Sequence, residues 1–304
     1  MNSNSTIDWL AHWGSLVRQK DAGRPAATSV ADTDDKWRTR AADYARHAPL
    51  RNEGRRVTQA VLASVCQAVP NATVLDIGAG TGIWSVPLAN WACRVTALEP
   101  SPAMRAQLEK AVATAGVGDR VTIDSRAWPG IEIPGHDVAL CAHVLYGIAD
   151  FRGWIEAMTS NARELCVLLL RAPASNDFMN EARRLVQETP ATRPDAFLAV
   201  NALWQMGIRP HVLMEAVAAP YSEIYPDRSA ALADLKQMLH LQAESRYDQC
   251  LTELLERRLS RTPEGLRLPP RPPTAILMWQ PPGYTRTLLE LLAALTTKFS
   301  TERP

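Results

Sequence analysis

Residues 73–82 read Thr73-Val-Leu-Asp76-Ile-Gly78-Ala-Gly80-Thr-Gly82, a mostly apolar segment that runs directly into a turn with three glycines. The β-branched and aliphatic residues before the turn predict a strand that is covered on both faces. Glycines at alternate positions let the backbone turn tightly and approach a ligand closely. The next segment, 83–90, predicts the start of a helix whose free N–H groups point at that ligand. The stretch therefore predicts a binding site for a nucleotide-like cofactor.

The spacing of the glycines distinguishes between kinds of cofactor. The dinucleotide fingerprint G-x-G-x-x-G requires glycine at position 83, where this chain has Ile83. The carboxylate of Asp76 lies two residues before the first glycine, where it repels a pyrophosphate and favours a ligand that carries an ammonium group. A second predicted strand, 94–98, ends at Glu99, from which a carboxylate reaches ribose hydroxyls. The pattern disfavours NAD and favours a cofactor with a ribose and a positive charge.

The motif Asp76-x-Gly78-x-Gly80-x-Gly82, together with Glu99-Pro100-Ser101-Pro102-Ala103-Met104, resembles a known enzyme family. It is similar to the class I S-adenosylmethionine-dependent methyltransferases, of the methyltransferase-domain type that acts on small molecules. The resemblance covers about residues 56–172. It implies S-adenosylmethionine as methyl donor and S-adenosylhomocysteine as product. A Rossmann-like domain that binds another nucleotide, or none, is the alternative.

The resemblance also implies a role for each residue of the cofactor site. Asp76 and the glycine loop hold the methionine end, Glu99 the ribose, and Ser101 with Met104 the ribose and the adenine edge. Many relatives place an acid in an Asp-Ala pair after the third strand, whereas Asp124 lies slightly earlier here, so the backbone at 126–127 and Trp128 are expected to contact adenine. The predicted cofactor-binding residues are Tyr44, Asp76, Gly78, Ala79, Gly80, Gly82, Glu99, Pro100, Ser101, Met104, Ser125, Arg126, Ala127, Trp128 and Ala142.

The acceptor side is predicted from the segment Cys141-Ala142-His143-Val-Leu-Tyr146, which follows the fourth predicted strand. It differs from the Asn-Pro-Pro-Tyr or Asp-Pro-Pro-Tyr element of enzymes that methylate amino groups of nucleic acids, which favours a small acceptor. Positioning supplies much of the rate of an in-line methyl transfer, and a base helps when the acceptor must lose a proton. His143 and Tyr146 are the predicted catalytic residues. A structural histidine that bonds a nearby carbonyl is the alternative for His143.

Two other functions stay open on the sequence. The same cofactor serves lyases and alkyl transferases, and a fold of this kind also occurs in non-catalytic cofactor-binding modules.

No cysteine and histidine spacing matches a zinc site, and no oxygen-rich loop for calcium or magnesium is present in the sequence, so no metal is predicted.

The charge composition limits the classes of binding partner that the sequence predicts. The 304 residues carry 33 basic and 32 acidic side chains, which gives a net charge of +1 and no electrostatic footprint for nucleic acid or a membrane surface. The polar start of the chain and its short apolar runs predict neither an export signal nor a membrane span, and a cytoplasmic protein is expected. The C-terminal leucines predict a helix that either covers the sheet or pairs two subunits as a homodimer. Five scattered cysteines predict reduced core thiols: Cys66, Cys93, Cys141, Cys166 and Cys250.

Alternation of strand and helix patterns predicts an α/β fold with a doubly wound, mostly parallel, seven-stranded sheet whose last strand is antiparallel. The sequence also predicts an N-terminal helical cap, which either packs on the core or acts as a lid. A helical insertion is predicted before the last strand. The expected domains are the cap at 1–55, the Rossmann-like cofactor-binding core at 56–218, the insertion at 219–272, and the last strand with a C-terminal helix at 273–304.

Overall fold

A seven-stranded sheet forms the centre of the protein. The computed structural model describes residues 7–22, 37–46, 55–91, 93–173, 177–186, 193–215, 224–239, 241–269 and 272–295. The strands of the central sheet are β1 (Thr73–Ile77), β2 (Arg94–Leu98), β3 (Val121–Asp124), β4 (His136–Ala142), β5 (Ala162–Arg171), β6 (His211–Glu215) and β10 (Thr274–Trp279). Their order across the sheet is β3-β2-β1-β4-β5-β10-β6.

The direction of the strands confirms the predicted fold class. The neighbours β3, β2, β1, β4 and β5 pair in parallel. By contrast, β10 pairs antiparallel with both β5 and β6. The chain reaches β3 at one edge and then returns to place β4 on the other side of β1, so the strand order reverses between β1 and β4. Ligands of such sheets bind beyond the carboxyl ends of the strands at this switch point.

Helices cover both faces of the sheet, because alternate residues of each buried strand point to opposite sides. On one face, the core contains Leu75 and Ile77 of β1 and is covered by α1 (Trp9–Ala22), α6 (Phe151–Asn161) and α8 (Ala196–Gln205). On the other face, the core contains Val74 and is covered by α3 (Arg56–Ala68), α4 (Ser85–Asn90), α5 (Pro102–Ala115) and α11 (Leu288–Leu291). The helices between β1 and β3 thus lie on one face, and the helices that flank β5 in the sequence, α6 and α8, lie on the other.

The described part of the predicted N-terminal cap is packed on the core. In α1, Trp13 is fully buried against Phe151, and its indole N–H donates to the carbonyl of Ile148 at 2.9 Å. Ile7, just before α1, is 56% exposed. A second short helix, α2 (Ala41–Arg46), contacts α5. Residues 1–6, 23–36 and 47–54 of the predicted cap lie outside the described residues.

The insertion before β10 has its own small core. The predicted helical insertion contains two helices, α9 (Arg228–Met238) and α10 (Asp248–Arg258). A three-stranded antiparallel sheet that the sequence did not predict accompanies them, formed by β7 (Ile224–Tyr225), β8 (Ser260–Thr262) and β9 (Gly265–Arg267). Strands of two or three residues are too short to show an alternating pattern. A further helix, α7 (Phe178–Val186), packs on α10 and shares this core.

The cysteines differ in part from expectation. Cys66, near the end of α3, and Cys93, just before β2, form a disulfide with their Cα atoms 6.3 Å apart. The prediction of five reduced thiols is therefore wrong for this pair. The two cysteines are 27 residues apart, and no local sequence pattern indicates that they lie close together. Cys141, Cys166 and Cys250 are free thiols.

The C-terminal leucines cover the sheet. Leu291 is fully buried against the core beside α3, and its carbonyl accepts a hydrogen bond from the Ser64 hydroxyl at 3.0 Å. Leu289 points outward and is 85% exposed. Within the described residues, no helix is both long enough and apolar enough to cross a bilayer.

Candidate active site

The glycine loop after β1 has the backbone conformation that its sequence predicts. Gly78 and Gly80 have φ values of +74° and +61°, in the left-handed region that only glycine adopts without strain. A Cβ on Gly78 would lie 2.5 Å from Cγ2 of Val144, so packing excludes any side chain there. A Cβ on Gly80 would meet nothing closer than 4.0 Å, where the Gly78 carbonyl oxygen and Met104 Cε lie. The loop is therefore tightly packed beneath Gly78 and borders open space at Gly80.

Glu99 links this loop to the end of β2. Its Oε2 accepts a hydrogen bond from the backbone N–H of Gly80 at 2.8 Å, and its Oε1 accepts one from the N–H of Ser101 at 2.9 Å. Only 6% of Glu99 is exposed. Each carboxylate oxygen can accept more than one hydrogen bond, so the two backbone donors orient the group and leave it the capacity to accept others.

Asp76 is the second acid of the loop, and it lies deeper. It is 1% exposed, and its Oδ2 accepts a hydrogen bond from the Ser85 hydroxyl at 2.6 Å. Burial and the nearby charge of Glu99 raise the pKa of Asp76 to about 6, although the bonds to Ser85 oppose that rise. The group is thus an anion at neutral pH that is poorly solvated and favours a nearby cation.

The turn from β2 into α5 is shaped by its own side chains. Ser101 caps α5, because its hydroxyl accepts a hydrogen bond from the N–H of Met104 at 3.2 Å, and Pro102 occupies the first turn. The guanidinium of Arg105 donates to the carbonyls of Glu99 and Pro100 at 2.9 and 2.7 Å. Met104 is buried and extends toward Gly80. The loop, the turn and Glu99 therefore come together at one end of the sheet.

The predicted adenine side lies after β3. Asp124 accepts hydrogen bonds from the backbone N–H of Arg126 at 2.8 Å and from its guanidinium at 2.6 Å, and this pairing lowers the pKa of Asp124. Ser125, Arg126 and Ala127 are exposed beyond the strand end. Trp128 is half-buried against the core, and its indole N–H has no hydrogen-bond partner among the described residues.

The predicted catalytic residues contact each other. Nδ1 of His143 lies 2.9 Å from the hydroxyl oxygen of Tyr146, and that oxygen accepts a hydrogen bond from the backbone N–H of Arg171 at 2.6 Å. Nε2 of His143 lies 3.5 Å from Oγ1 of Thr274. Burial raises the pKa of Tyr146, while the charge of Arg171, whose guanidinium lies 5.2 Å from the ring centroid, opposes the rise. Tyr146 is thus a neutral phenol at physiological pH.

Backbone geometry sets the position of His143. It follows Ala142, the last residue of β4, with a φ of +59°, and its N–H donates to the carbonyl of Leu169 on β5 at 2.9 Å. The residue therefore lies at the carboxyl end of β4, beside the switch point at which β1 ends in the glycine loop. The same edge thus carries the predicted cofactor loop and the predicted catalytic pair.

Three neighbours of the site were not predicted from the sequence. Arg171 reaches Tyr146 through the parallel pairing of β5 with β4, and Thr274 reaches His143 through the antiparallel pairing of β10 with β5. Thr81 lies between two glycines of the loop, is 4% exposed, and has a hydroxyl with no hydrogen-bond partner among the described residues. Tyr44 lies on α2, which packs against α5, and its predicted contact with the cofactor stays a prediction.

The residues present fit a nucleoside cofactor with a positive charge. Three features lie at the end of β1. They are the buried Thr81 hydroxyl, which has no partner among the described residues, the open space at Gly80, and the poorly solvated carboxylate of Asp76. Among the described residues, no group of three or more His, Cys, Asp or Glu side chains can hold a metal ion. Fold and site together define an α/β protein with a glycine loop at its switch point, whose residues fit a nucleoside cofactor.

Comparison with known proteins identifies the family. The sequence profile of a methyltransferase domain matches residues 38–205, more than half of the chain. The chain therefore belongs to the methyltransferase-domain family. The predictions of a class I methyltransferase, and of S-adenosylmethionine as the cofactor of that class, are confirmed by this membership. No curated protein sequence matches the chain.

Solved structures are similar in fold. The YcgJ protein from Bacillus subtilis is 12% identical, has a TM-score of 0.51, and matches 73% of this chain and 97% of its own. A magnesium protoporphyrin IX methyltransferase from Synechocystis with bound S-adenosylhomocysteine is 14% identical, has a TM-score of 0.43, and matches 90% of this chain and 96% of its own. An S-adenosylmethionine-dependent methyltransferase from Geobacter sulfurreducens, also in complex with S-adenosylhomocysteine, is 13% identical and has a TM-score of 0.46. It matches 73% of this chain and 90% of its own.

Proposed function

We propose that this protein transfers a methyl group from S-adenosylmethionine to a small-molecule acceptor that binds beside His143 and Tyr146. The observation that carries the proposal is the carboxylate of Glu99, which is bonded to the N–H of Gly80 and so held against the open space above the glycine loop. A carboxylate fixed in this way is preorganised to accept hydrogen bonds from two ribose hydroxyls.

The cofactor, when bound, supplies an activated methyl group on a sulfonium centre. The residues of the chain bind and orient it: Glu99 accepts from the ribose, Asp76 compensates the ammonium charge, and Met104 with the backbone at 125–127 and Trp128 borders the adenine. Because Asp76 is nearly excluded from solvent, its charge acts on the ligand with little screening. Positioning of this kind supplies much of the rate of a displacement reaction.

His143 is the proposed base for an acceptor that must lose a proton. In the tautomer with hydrogen on Nδ1, the imidazole donates to the Tyr146 oxygen, and the lone pair on Nε2 is the basic site. In the other tautomer, Tyr146 donates to Nδ1 and Nε2 carries the hydrogen. In both tautomers Tyr146 is a positioning residue that holds the ring, and in the first of them the proton of the acceptor would move to Nε2.

A small acceptor is favoured over a nucleic acid. The chain has a net charge of +1, which provides no general attraction for a polyanion. The segment after β4 also lacks the Pro-Pro dipeptide that typifies enzymes acting on amino groups of bases. The alternatives are the use of S-adenosylmethionine by a lyase or alkyl transferase, and a cofactor-binding module without turnover.

Calorimetric titration with S-adenosylhomocysteine, S-adenosylmethionine and NAD tests the proposal. We expect binding of the first two and none of NAD, because Ile83 breaks the dinucleotide spacing. Binding of NAD without binding of the sulfonium ligand would overturn the assignment. Product analysis then separates the activities: S-adenosylhomocysteine that accumulates only with an acceptor supports methyl transfer, methylthioadenosine indicates a lyase or alkyl transfer, and tight binding without product indicates a binding module.

A further inference from the structure

Arg171 lies beside the predicted catalytic pair, and Arg183 and Arg193 are near enough to Arg171 for their charges to interact with it. Arg171 is the last residue of β5, Arg183 lies in the last turn of α7, and Arg193 lies three residues before the start of α8. All three are half-buried, although they come from three separate elements. Arg171 is the member nearest the catalytic pair, because its guanidinium lies 5.2 Å from the centroid of the Tyr146 ring.

The charges of these arginines are poorly compensated. Among the described residues, no carboxylate lies within ion-pair distance of Arg171, Arg183 or Arg193, and only the Asn180 amide oxygen accepts a hydrogen bond from Arg183, at 3.2 Å. Burial, together with the charges of Arg193 and Arg171, lowers the pKa of Arg183 to about 9. Burial and the charge of Arg171 likewise lower the pKa of Arg193. The three side chains thus repel one another in the ligand-free protein.

Two acids lie in the same region, but both are used as helix caps. Asp177 accepts hydrogen bonds from the backbone N–H groups of Met179 and Asn180 at the start of α7. Asp195 caps α8 through the N–H of Leu198 at 3.1 Å. Their charges act on the arginines from a distance, without direct contact. Neither acid therefore compensates the three guanidinium groups by direct contact.

We infer that the methyl acceptor carries a carboxylate or phosphate group, and that Arg171, Arg183 and Arg193 bind this group beside His143 and Tyr146. The inference rests on the proposed function, since it names the class of acceptor for the same site. A planar guanidinium presents paired N–H donors that match the oxygens of either anion. The anion would fix the acceptor at one end, and the reacting atom would lie toward the glycine loop.

The test uses protein saturated with S-adenosylhomocysteine and three related probes: benzoate, phenyl phosphate and benzamide. Calorimetry at constant ionic strength should show binding of benzoate or phenyl phosphate and none of the neutral benzamide; the tighter of the two anions identifies the group. Arg183→Gln and Arg193→Gln should each weaken that binding about tenfold, because each removes charge-assisted hydrogen bonds. Arg184→Gln, which removes a charge from an exposed neighbour on the same helix, is the control and should bind like the parent.

A second readout separates a ligand site from a structural role. Since the arginines repel one another, Arg183→Gln should raise the melting temperature of the ligand-free protein while it weakens anion binding. A structural arginine would lower the melting temperature when replaced. Arg183→Lys keeps the charge, loses the fork of donors, and should give an intermediate affinity.

Several results would overturn the inference. Equal binding of benzamide and benzoate would do so, as would an equal loss of binding in Arg183→Gln and Arg184→Gln. If Arg183→Gln and Arg193→Gln weaken the binding of S-adenosylhomocysteine as much as that of the anionic probe, the arginines bind the carboxylate of the cofactor instead. Failure of the parent to bind S-adenosylhomocysteine would defeat the proposed function, whereas binding of the anionic probes to the same protein would leave the arginine site standing.

Discussion

Nδ1 of His143 lies 2.9 Å from the hydroxyl oxygen of Tyr146, and the two rings are nearly parallel, at an angle of 18°. The pair forms a short chain of contacts, from the backbone N–H of Arg171 through the Tyr146 oxygen to the imidazole. Because Tyr146 occupies Nδ1, the other ring nitrogen is the atom that can exchange a proton with an acceptor. This contact is the reason that we propose His143 as the base and Tyr146 as the residue that positions it.

Replacement of His143 should lower turnover far more than cofactor affinity. Its φ of +59° suits asparagine better than alanine, so His143→Asn tests the side chain with the least change to the backbone. Loss of a general base should lower kcat by about 10²- to 10⁴-fold, while the Kd for S-adenosylhomocysteine stays within about twofold. Steady-state kinetics and calorimetry measure the two effects, with exposed His12→Asn as control. Unchanged turnover with an identified acceptor would remove His143 from the mechanism.

Tyr146→Phe should have a smaller effect of a different kind. The substitution keeps the ring but removes the hydroxyl that contacts His143, so kcat should fall by about tenfold and the pH dependence of kcat should shift. A tyrosine that only fills space would leave the pH profile in place. The profile of kcat, compared between the variant and the parent, is the measurement that decides.

Replacement of Glu99 should weaken S-adenosylhomocysteine binding by at least about tenfold, because charge-assisted hydrogen bonds to the ribose contribute about 1.5 to 3 kcal/mol each. The buried carboxylate also bonds Gly80 and Ser101, so Glu99→Ala should lower stability as well. Glu99→Gln keeps one oxygen acceptor and the same size, and is the better test of binding. Exposed Glu109→Gln is the control. A folded Glu99→Gln that binds as tightly as the parent would show that Glu99 is not the ribose acid.

Asp76 should make cofactor binding depend on pH. Its pKa in the folded protein is about 6, so the carboxylate is neutral in acid and ionised above that value. An ionised Asp76 favours the ammonium group of the ligand, and S-adenosylhomocysteine should therefore bind more tightly as the pH rises through about 6. Calorimetry from about pH 5 to about pH 8 measures the change. Asp76→Asn should flatten this profile, and a profile that the variant shares with the parent would assign the titration to another group.

The same raised pKa has an opposite effect on ligand-free stability. An acid whose folded pKa exceeds its unfolded value makes the protein less stable as the pH rises from about 4 to about 6, and the loss then stays constant. A rise from 3.8 to about 6 corresponds to about 3 kcal/mol. Over that range the parent should lose free energy of unfolding relative to Asp76→Asn, as measured by urea denaturation at each pH. A constant difference between the two proteins would contradict the raised pKa.

The parts of the site that the sequence predicted depend on short stretches of chain. The glycine loop and Glu99 each lie within a few residues of a strand end, and parallel strands bring those ends to one edge. Arg171 reaches Tyr146 through the pairing of β5 with β4, and Thr274 reaches His143 through the antiparallel pairing of β10, neither of which a local pattern specifies. The strands of the accessory sheet are too short for a period, and the Cys66–Cys93 disulfide joins two elements across 27 residues. Long-range register is what the sequence alone did not reveal.

Alanine at Gly80 and at Gly78 should have different consequences, although both positions have positive φ. At Gly80 the left-handed conformation costs about 1 to 2 kcal/mol, and a methyl group meets no atom closer than 4.0 Å. Gly80→Ala should therefore fold, but its methyl group would occupy the space assigned to the cofactor and weaken S-adenosylhomocysteine binding by at least about tenfold.

At Gly78 the same backbone strain is joined by a clash at 2.5 Å with Val144, which adds about 1 to 3 kcal/mol for overpacking. Gly78→Ala should thus destabilise the protein more than Gly80→Ala in urea denaturation. Val144→Ala, which removes the clashing methyl group, should restore part of the loss in the double variant. If Gly80→Ala is folded and binds S-adenosylhomocysteine like the parent, the space beside Gly80 and Met104 does not hold the cofactor.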